Sequence, residues 1–295
     1  MNNIKFAFLI MAHNNYEQLK ILLNLLDFKN NEIYLHIDKK SSTINQEDLF
    51  CILKKAKLHV YKKFYVYYAD ISQTECQTFL LEEACKSYHD YYHLISNADL
   101  PIKTQKYIEK FFLENKGKQF VHFESLDYCN KENCIYYHFF YTMISKTRIR
   151  FLKKILRKLE KISIFFQKKL KVKRKLYCGA NWYSITHDLA IDFCKNKKIM
   201  LSKVKWTISS DEYILQTFIR KFASNKYYIY PDNSILEDDY RSVARLIDWK
   251  RGFPYVWKKK DEYEILNSQA LFARKFDIEV DKYIINAIVN KIKNE

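Results

Sequence analysis

The first 125 residues of the chain alternate between short apolar runs and segments whose apolar residues recur at helical spacing. The continuous apolar runs predict buried strands at residues 4–12, 32–38, 57–61 and 91–96. The segments between and after them predict helices at residues 16–26, 47–56, 74–87 and 106–114. Strands that alternate with helices are typical of an α/β fold, in which a mostly parallel, twisted sheet is flanked by helices.

The rest of the chain outside its middle has the same character. Further extended segments are predicted at residues 119–123, 177–186 and 226–230, and further helices at residues 188–195, 211–222 and 281–293. No segment resembles a flexible linker, so we expect a single domain over residues 1–295. The first apolar run is too short for a secretory signal, and no run approaches the roughly 20 apolar residues of a membrane-spanning helix.

Residues 146–175 differ sharply from this pattern. They contain fourteen Lys or Arg and one acid, Glu160, and so carry +13 of the net charge of +17. Their apolar residues predict a basic amphipathic helix within an insertion at about residues 133–175. The residues at helical spacing are Leu152, Ile155, Leu156, Leu159 and Ile162, with Phe165 and Phe166 beyond them.

The basic segment has three possible roles. Its leucines can pack on the domain under a solvated face, or the helix can lie on an anionic membrane surface. Nucleic-acid binding is the third role. The 24 Tyr and 21 Phe of the chain are spread through predicted strands and are not interleaved with the basic run, so we expect no nucleic-acid partner.

Composition excludes several classes of enzyme. Three glycines are too few for a P-loop or a dinucleotide-binding fingerprint, which disfavours kinases, ATPases and simple dehydrogenases. The seven cysteines lack the paired spacing of a zinc site, so no metal site is expected. Free thiols suit a reducing cytoplasm.

Candidate binding residues follow the predicted strands. His13, Asp38 and Asp99 come directly after strand segments, and in parallel sheets ligands bind beyond the carboxyl ends of the strands. An acid at this position can accept a hydrogen bond from a nucleotide base or a ribose hydroxyl. Each of these side chains can instead only cap a loop or a helix.

Two further patterns suggest chemistry. Residues 209–212, with the sequence SSDE, precede an apolar helix, where Asp211 can act as a cap and Glu212 falls in the first turn. A carboxylate at a helix N-terminus is held ionised, which suits a general base. Basic residues recur near the C-terminus at Arg245 and in the pair formed by Arg274 and Lys275, where ordered cations can neutralise a diphosphate.

Seven segments, in this order, resemble the core-2/I-branching family of β-1,6-N-acetylglucosaminyltransferases and peptide O-xylosyltransferases. The resemblance covers about residues 4–125 and 176–285. The segments are FLIMAHNNYEQLKILLNLL, IYLHIDKKS, YYHLISNADLPIKT, NWYSITHDLA, SSDEYILQTF, RLIDWKRG and ALFARKFD.

The resemblance implies a GT-A-like fold, a UDP-sugar donor, inversion at the anomeric carbon and no required metal ion or other cofactor. It implies that Glu212 is the catalytic base and that an Arg and a Lys bind the diphosphate; Arg241 is an alternative for the Arg. Together with the strand-end Asp99, the expected donor-binding residues are His13, Asp38, Asp99, Arg245 and Lys275. The expected acceptor-binding residues are Glu124, Trp182 and Tyr183.

The sequence departs from the family pattern at two loops. The family's aromatic-Gly turn before the third helix is Tyr68-Ala69-Asp70 here, and Ser210 replaces the Pro before Asp-Glu. We expect a bacterial enzyme of surface-polysaccharide synthesis that is cytoplasmic and peripheral on the inner face of the membrane, close to a glycan acceptor that can be lipid-linked. A xylosyltransferase and a non-catalytic basic module that binds membrane or RNA are the alternatives.

Overall fold

A computed structural model of the chain describes residues 4–42, 46–129, 135–223, 225–230 and 240–294. Seven strands form the central sheet in the order β3-β2-β1-β4-β7-β6-β8. They are β1 (Phe6–Ala12), β2 (Asn31–Ile37), β3 (Lys57–Tyr61), β4 (Tyr91–Ser96), β6 (Lys118–Val121), β7 (Tyr183–Thr186) and β8 (Tyr228–Ile229). A second, three-stranded sheet contains β5 (Asp99–Pro101), β10 (Phe272–Arg274) and β9 (Arg245–Ile247), in that order.

The central sheet is mainly parallel. Strand β1 pairs in parallel with β2 and β4, β2 with β3, and β6 with β8. Strand β7 is antiparallel to both of its neighbours, β4 and β6. This arrangement confirms the predicted α/β class and brings the carboxyl ends of β1, β2 and β4 to one edge of the sheet.

Helices cover both faces of the central sheet. The longer ones are α1 (Tyr16–Leu25), α3 (Ile71–Ala84), α4 (Gln105–Glu114), α7 (Arg150–Lys169), α8 (His187–Val204), α9 (Ile214–Phe222) and α11 (Lys282–Asn294). The shorter ones are α2 (Gln46–Phe50), α5 (Leu126–Cys129), α6 (Tyr141–Lys146) and α10 (Glu262–Asn267). The described residues also form 3-10 turns at Ser210–Glu212, Tyr240–Val243 and Lys259–Asp261.

The core is divided by the sheet because successive side chains of a strand point to opposite faces. Phe6 and Phe8 of β1 pack against α1, α4, α11 and the small sheet. Ala7 and Leu9 face the other way, against α3, α8 and α9. The continuous apolar run of β1 is therefore that of a strand buried on both faces.

The predicted helix at residues 47–56 ends early, at Phe50. The carboxylate of Asp27 accepts hydrogen bonds from the backbone N–H groups of Lys54, Lys55 and Ala56 at 2.8–3.0 Å. A helix through these residues would need the same N–H groups for its own carbonyls. The tertiary contact with Asp27 therefore overrides the local helical pattern.

The predicted extended segment at residues 177–186 forms a strand only from Tyr183 onward. The predicted helix at residues 188–195 is longer and continues to Val204. The three short strands of the second sheet were not predicted, because three residues are too few to show a period.

The described part of the basic insertion folds into α6 and α7; residues 133 and 134, at its predicted start, lie outside the described residues. Helix α7 is fixed to the protein through polar contacts. Glu160 accepts hydrogen bonds from the backbone N–H of Phe140 (2.8 Å) and from His138 Nδ1 (2.9 Å). Gln167 exchanges two hydrogen bonds of 2.8 Å with the main chain of Tyr137.

The face of α7 that contacts the protein is therefore not the apolar stripe. Leu156 is buried with Glu160 and Gln167, whereas most apolar side chains of the helix are exposed. Packing of the leucines on the domain was one of the possible roles of this segment; Leu156 is buried, whereas Leu152 and Leu159 are 37% and 39% exposed. The exposed residues are Phe151, Leu152, Ile155, Leu159, Ile162, Phe165 and Phe166.

Among the helices built from described residues, none combines the length and apolar character needed to cross a bilayer.

Candidate active site

The first group of predicted residues lies where β1 and β2 end. Asp38 follows β2, and its backbone N–H donates to Ala12 O at the end of β1 (2.9 Å). Its buried carboxylate accepts from the backbone N–H of Lys40 at 2.9 Å and lies 3.4 Å from Lys40 Nζ. The charge of Asp38 is thus held at the carboxyl edge of the sheet.

Asp38 and Lys275 both lie within electrostatic range of His13. Partial burial lowers the pKa of His13, the Asp38 carboxylate opposes this shift, and Lys275 and Lys40 lower the pKa further. The imidazole therefore stays neutral at neutral pH, able to donate one hydrogen bond and accept another. The structure brings together three predicted donor-binding residues that are widely separated in sequence.

Asp99 lies at the second sheet. Its Oδ2 accepts from the backbone N–H (2.7 Å) and Oγ (2.6 Å) of Ser96, and its Oδ1 lies 3.8 Å from Arg274 Nε. The β5–β10 register places Asp99 opposite Arg274. The guanidinium of Arg274 in turn covers the ring of Trp182, with 3.9 Å between Cζ and the ring centroid.

Arg245 lies within electrostatic range of Asp99 and Arg274, but its side chain is engaged by other parts of the protein. Its side chain is buried behind the sheet edge, where Nη2 donates to Tyr183 O (2.8 Å) and Leu94 O (3.2 Å). Nη1 donates to Ser184 Oγ (3.1 Å) and to Val243 O. Burial lowers the pKa of Arg245 to about 10, with Asp99 opposing the shift and Arg274 adding to it. The contact of Arg245 with the diphosphate stays a prediction; the side chain of Arg241 lies outside the described residues.

The predicted base is in a different local structure from the one expected. Glu212 ends the 3-10 turn Ser210–Glu212, and α9 begins only at Ile214. Glu212 is exposed, whereas Asp211 beside it is buried.

Asp211 is not the cap of α9, because Tyr213 holds the N-cap position of that helix and Ser209 holds that of the 3-10 turn. Asp211 Oδ2 instead accepts from Gln73 Nε2 at 2.7 Å. Burial raises the pKa of Asp211 to about 6, and backbone hydrogen bonds from Asp211 and Glu212 oppose the shift.

Residues 177–182 connect the Glu212 turn to Trp182. The N–H of Gly179 donates to Glu212 O at 3.0 Å, and the N–H of Glu124 donates to Cys178 O at 2.8 Å. A Cβ atom at Gly179 would lie 1.9 Å from His122 O, so only glycine allows this close approach. Glu124 and Trp182 are both half-buried, as acceptor-binding side chains can be.

Tyr183 is positioned differently. Strand β7 begins at this residue, and alternation directs its side chain into the core beside α8 and α9. Its side chain is buried, and burial raises the pKa of its hydroxyl. The predicted acceptor contact is therefore not available to Tyr183 in this structure, whereas Trp182 lies just before the strand.

The loop before α3, where Ala69 stands in place of the family's glycine, keeps the backbone conformation that glycine favours. Ala69 has a φ of 56°, the left-handed region that favours glycine. The carbonyl of Ala69 accepts a hydrogen bond from the N–H of Ser209 at 2.9 Å. The backbone of Ser209 also lies in the left-handed region, with a φ of 52°. This bond ties the loop at residues 64–70 to the turn that carries Glu212.

Across the ranges that the structure describes, no group of three or more His, Cys, Asp or Glu side chains is placed to hold a metal ion. A cavity of about 760 Å³ lies at the opposite end of the sheet, where β4 begins and β7 ends. Tyr91, Thr186 and Asp192 are among its lining residues, and none of the predicted site residues lines it.

A mainly parallel sheet between helices, with polar and charged side chains at its carboxyl edge, is the architecture of a GT-A-like domain. A model of the Core-2/I-branching enzyme family matches residues 6–268. The chain therefore belongs to this family, as the resemblance predicted, and the family makes it a glycosyltransferase. A search of curated proteins finds no match.

Arg274 makes contacts that the sequence did not predict. In the sequence it belongs to a basic pair with Lys275 that can neutralise a diphosphate. Its contacts with Asp99 and Trp182 depend on a strand register between residues 175 positions apart and on the start of β7. No local pattern reveals such contacts.

Proposed function

We propose that the chain is an inverting glycosyltransferase that transfers N-acetylglucosamine from a UDP-sugar to a hydroxyl group of a glycan acceptor. We further propose that it needs no metal ion and acts in the synthesis of a bacterial surface polysaccharide. Family membership supports the reaction class. One observation carries the site assignment: contacts run continuously from the Glu212 turn, through residues 179–182, to Arg274 beside Lys275.

The reaction is a single displacement. The acceptor oxygen bonds to the anomeric carbon while the bond from that carbon to the UDP oxygen breaks, and the bonding electrons leave with UDP. Glu212 takes the proton of the acceptor hydroxyl, a contribution of roughly 10²–10⁴ in rate. Its exposed position allows an acceptor to approach it.

The donor side of the proposed site is cationic. The ammonium group of Lys275 stabilises the negative charge that develops on the diphosphate, a task that other enzymes give to a divalent ion. His13 and Asp38 offer hydrogen-bonding groups to the uridine, and Glu124 and Trp182 face the acceptor. A UDP-xylose donor is the alternative within the family.

A screen of UDP-sugars with mass detection of the products tests this proposal. We expect turnover with UDP-N-acetylglucosamine that persists in EDTA. Glu212→Gln should lower the transfer rate by roughly 10²–10⁴ while leaving UDP binding intact. Loss of turnover on chelation with recovery in manganese would contradict metal independence, and turnover only with UDP-xylose would identify the alternative donor.

Association with the cytoplasmic face of the membrane is the second part of the proposal. Apart from the buried Leu156, the apolar stripe of α7 from Phe151 to Phe166 is largely exposed, and it is flanked by Lys and Arg side chains. Anionic headgroups attract such a helix by about 1 kcal/mol per basic residue near the surface, while the apolar face inserts shallowly.

The insertion is also linked to the proposed site. Lys146, at the end of α6, lies 3.9 Å from Asp70 Oδ1 and 5.7 Å from the ring centroid of Tyr67. Both partners belong to the loop that is tied to the Glu212 turn. A membrane-bound α7 would therefore bring the site close to a lipid-linked glycan acceptor.

Deletion of residues 150–172 tests the membrane role. The full chain should float with vesicles that contain anionic lipid and not with neutral vesicles, and the shortened chain should float with neither. Equal flotation of the two proteins would contradict the role of α7. A thermal shift with UDP separates the enzyme from a non-catalytic basic module, since only the enzyme should respond.

A further inference from the structure

The cavity of about 760 Å³ at the far end of the central sheet contains none of the residues that the proposed reaction uses. Its volume lies within the range of roughly 300–1,000 Å³ that is usual for ligand pockets. Its walls come from the loop before β4, the turn between α4 and β6, the junction of β7 with α8 and the start of β8. Because β7 is antiparallel to β4 and β6, its carboxyl end lies beside their amino ends, and these distant segments meet there.

Two tyrosine rings at the cavity are open to solvent. Tyr88 and Tyr228 are 58% and 53% exposed. The ring of Tyr88 packs against His187, with 4.7 Å between the ring centroids, and His187 Nδ1 lies 2.8 Å from the hydroxyl of Tyr92. The Tyr88 hydroxyl donates a hydrogen bond to Asp90 Oδ1 at 3.2 Å. Tyr88 therefore offers a ring that the protein holds in place and that a ligand can still cover, and Tyr228 offers a second ring.

The charged side chains around the cavity balance one another. Asp192 forms an ion pair with Lys226 and accepts a hydrogen bond of 2.6 Å from the hydroxyl of Tyr227. Asp90 also accepts a hydrogen bond of 2.8 Å from the backbone N–H of Lys5. Among the described residues that line the cavity there are three acids and three lysines, so their charges cancel and favour neither an anion nor a cation. These six residues are Asp90, Asp188, Asp192, Lys116, Lys195 and Lys226.

Aromatic rings beside a mixture of donors and acceptors suit a carbohydrate. The C–H groups on one face of a sugar ring can pack against an aromatic face, while its hydroxyl groups donate to carboxylates and accept from ammonium groups. A purely apolar ligand would instead leave the polar groups of the cavity without partners. We propose that the cavity is a second carbohydrate-binding site, separate from the proposed active site, which takes a neutral oligosaccharide through Tyr88, Tyr228 and the acids and lysines around them.

The cavity is too far from the proposed active site for one sugar to occupy both. Strand β4 runs from Tyr91, which lines the cavity, to Ser96, whose N–H donates to Asp99. At about 3.3 Å per residue, the two ends of this strand are about 17 Å apart. The site therefore holds a part of a glycan that does not react. The inference goes beyond the proposed function and does not depend on the donor.

Isothermal titration of the full chain with N-acetylchitotetraose, cellotetraose and maltotetraose tests the inference. At least one of these neutral oligosaccharides should bind. Cationic tetraglucosamine and anionic tetragalacturonate have the same number of sugars and should bind more weakly than the best neutral ligand. The titrations are made at high salt, which screens the attraction of the basic helix α7 for anions.

Substitutions of the two tyrosines assign the binding to the cavity. Tyr88→Ala and Tyr228→Ala should each raise the Kd of the neutral oligosaccharide about 5- to 10-fold, because each removes an aromatic face that the sugar covers. Tyr228→Phe keeps the ring and should bind like the wild type. Tyr263→Ala is the matched control, because Tyr263 is 82% exposed and lies on α10, outside the cavity. All four variants should bind UDP with unchanged affinity.

Hydrogen exchange locates the bound glycan independently of the substitutions. Amide protection should rise at residues 186–192 and 226–228 and stay unchanged at the turn that carries Glu212. Absence of binding by all three neutral oligosaccharides would overturn the inference. Equal Kd values for the wild type and both alanine variants, or tighter binding of a charged tetramer, would also overturn it.

The same titrations separate this inference from the proposed function. UDP binding without oligosaccharide binding at the cavity would overturn the second site and leave the proposed function standing. Oligosaccharide binding that depends on Tyr228, in a protein that does not bind UDP, would support the second site while contradicting the proposed donor.

Discussion

The exposed stripe of α7 allows a quantitative prediction for membrane binding. Phe165 and Phe166 are 52% and 55% exposed, so each leaves about half of its side chain to be removed from water on insertion. Full burial of a Phe side chain is worth about 1.5–3 kcal/mol, so half of it is about 1 kcal/mol per ring. Replacing both by Ser should cost about 2 kcal/mol of binding free energy, which is about a 30-fold lower partition coefficient.

The measurement is sedimentation with vesicles of a neutral lipid mixed with an anionic one, over a range of lipid concentrations. Ser and Phe have similar helix propensities, and both rings lie on the solvent side of α7, so thermal unfolding should not change. Phe253→Ser is the matched control, because Phe253 is 97% exposed and lies outside the insertion. This control should bind vesicles like the wild type.

Two results would refute this reasoning. If the double variant partitions as strongly as the wild type, the stripe does not insert. If high salt removes all binding of the wild type while the double variant matches it at low salt, charge alone holds the helix at the surface.

Four further outcomes are expected. Glu212→Gln should lower the transfer rate by roughly 10²–10⁴ with little change in the Kd for UDP measured by titration; a variant that retains its rate would remove Glu212 from the mechanism. Ala69→Gly should raise the free energy of unfolding measured in urea by up to about 1 kcal/mol, because the strain relieved at a left-handed φ of 56° exceeds the entropy that glycine adds to the unfolded chain. A destabilised variant would contradict this balance. The pKa of Asp211 is raised to about 6 in the folded state, so protonation favours folding, and the free energy of unfolding should fall as pH rises from the unfolded pKa of 3.8 through 6. Relative to Asp211→Asn, the wild type should lose about 1.4 kcal/mol of stability between pH 5 and 8. A stability difference that does not depend on pH would show that the burial of Asp211 does not shift its pKa. Glu160→Ala should weaken the docking of α7 by about 1.5–3 kcal/mol and lower amide protection across the helix in hydrogen exchange, whereas unchanged protection would mean that Gln167 and Leu156 suffice.

The strands and helices with long periodic patterns were predictable. Each strand from β1 to β4 is an apolar run of five to seven residues, and α1, α4 and α11 show helical spacing, so local sequence is enough to assign them. The positions of His13 and Asp38 at a sheet edge followed from the same reasoning, because strand ends in a parallel sheet share one edge. Asp99 instead begins β5 of the second sheet.

The alternation of side chains between the two faces of a strand determines where two of the predicted site residues point. Tyr183 starts β7 and points into the core, although the preceding Trp182 reaches the site. Arg245 starts β9 and is buried, although its charge suggested a ligand. A single residue of register moves a side chain from one face of a sheet to the other, and short strands give no pattern from which to read that register.

By itself, the sequence determined the fold class and the family, and it indicated the edge of the sheet at which we propose the site, because these depend on periodic patterns and on motifs local to each segment. Only the tertiary structure decided that Arg274 meets Trp182 and Asp99, and that both terminal nitrogens of Arg245 donate to protein oxygens. It also decided that α7 buries Leu156, Glu160 and Gln167 and leaves most of its other apolar residues exposed. These outcomes depend on hydrogen-bond partners from distant segments. The local sequence limits which residues can be hydrogen-bond partners, but it does not determine which of them form the contact.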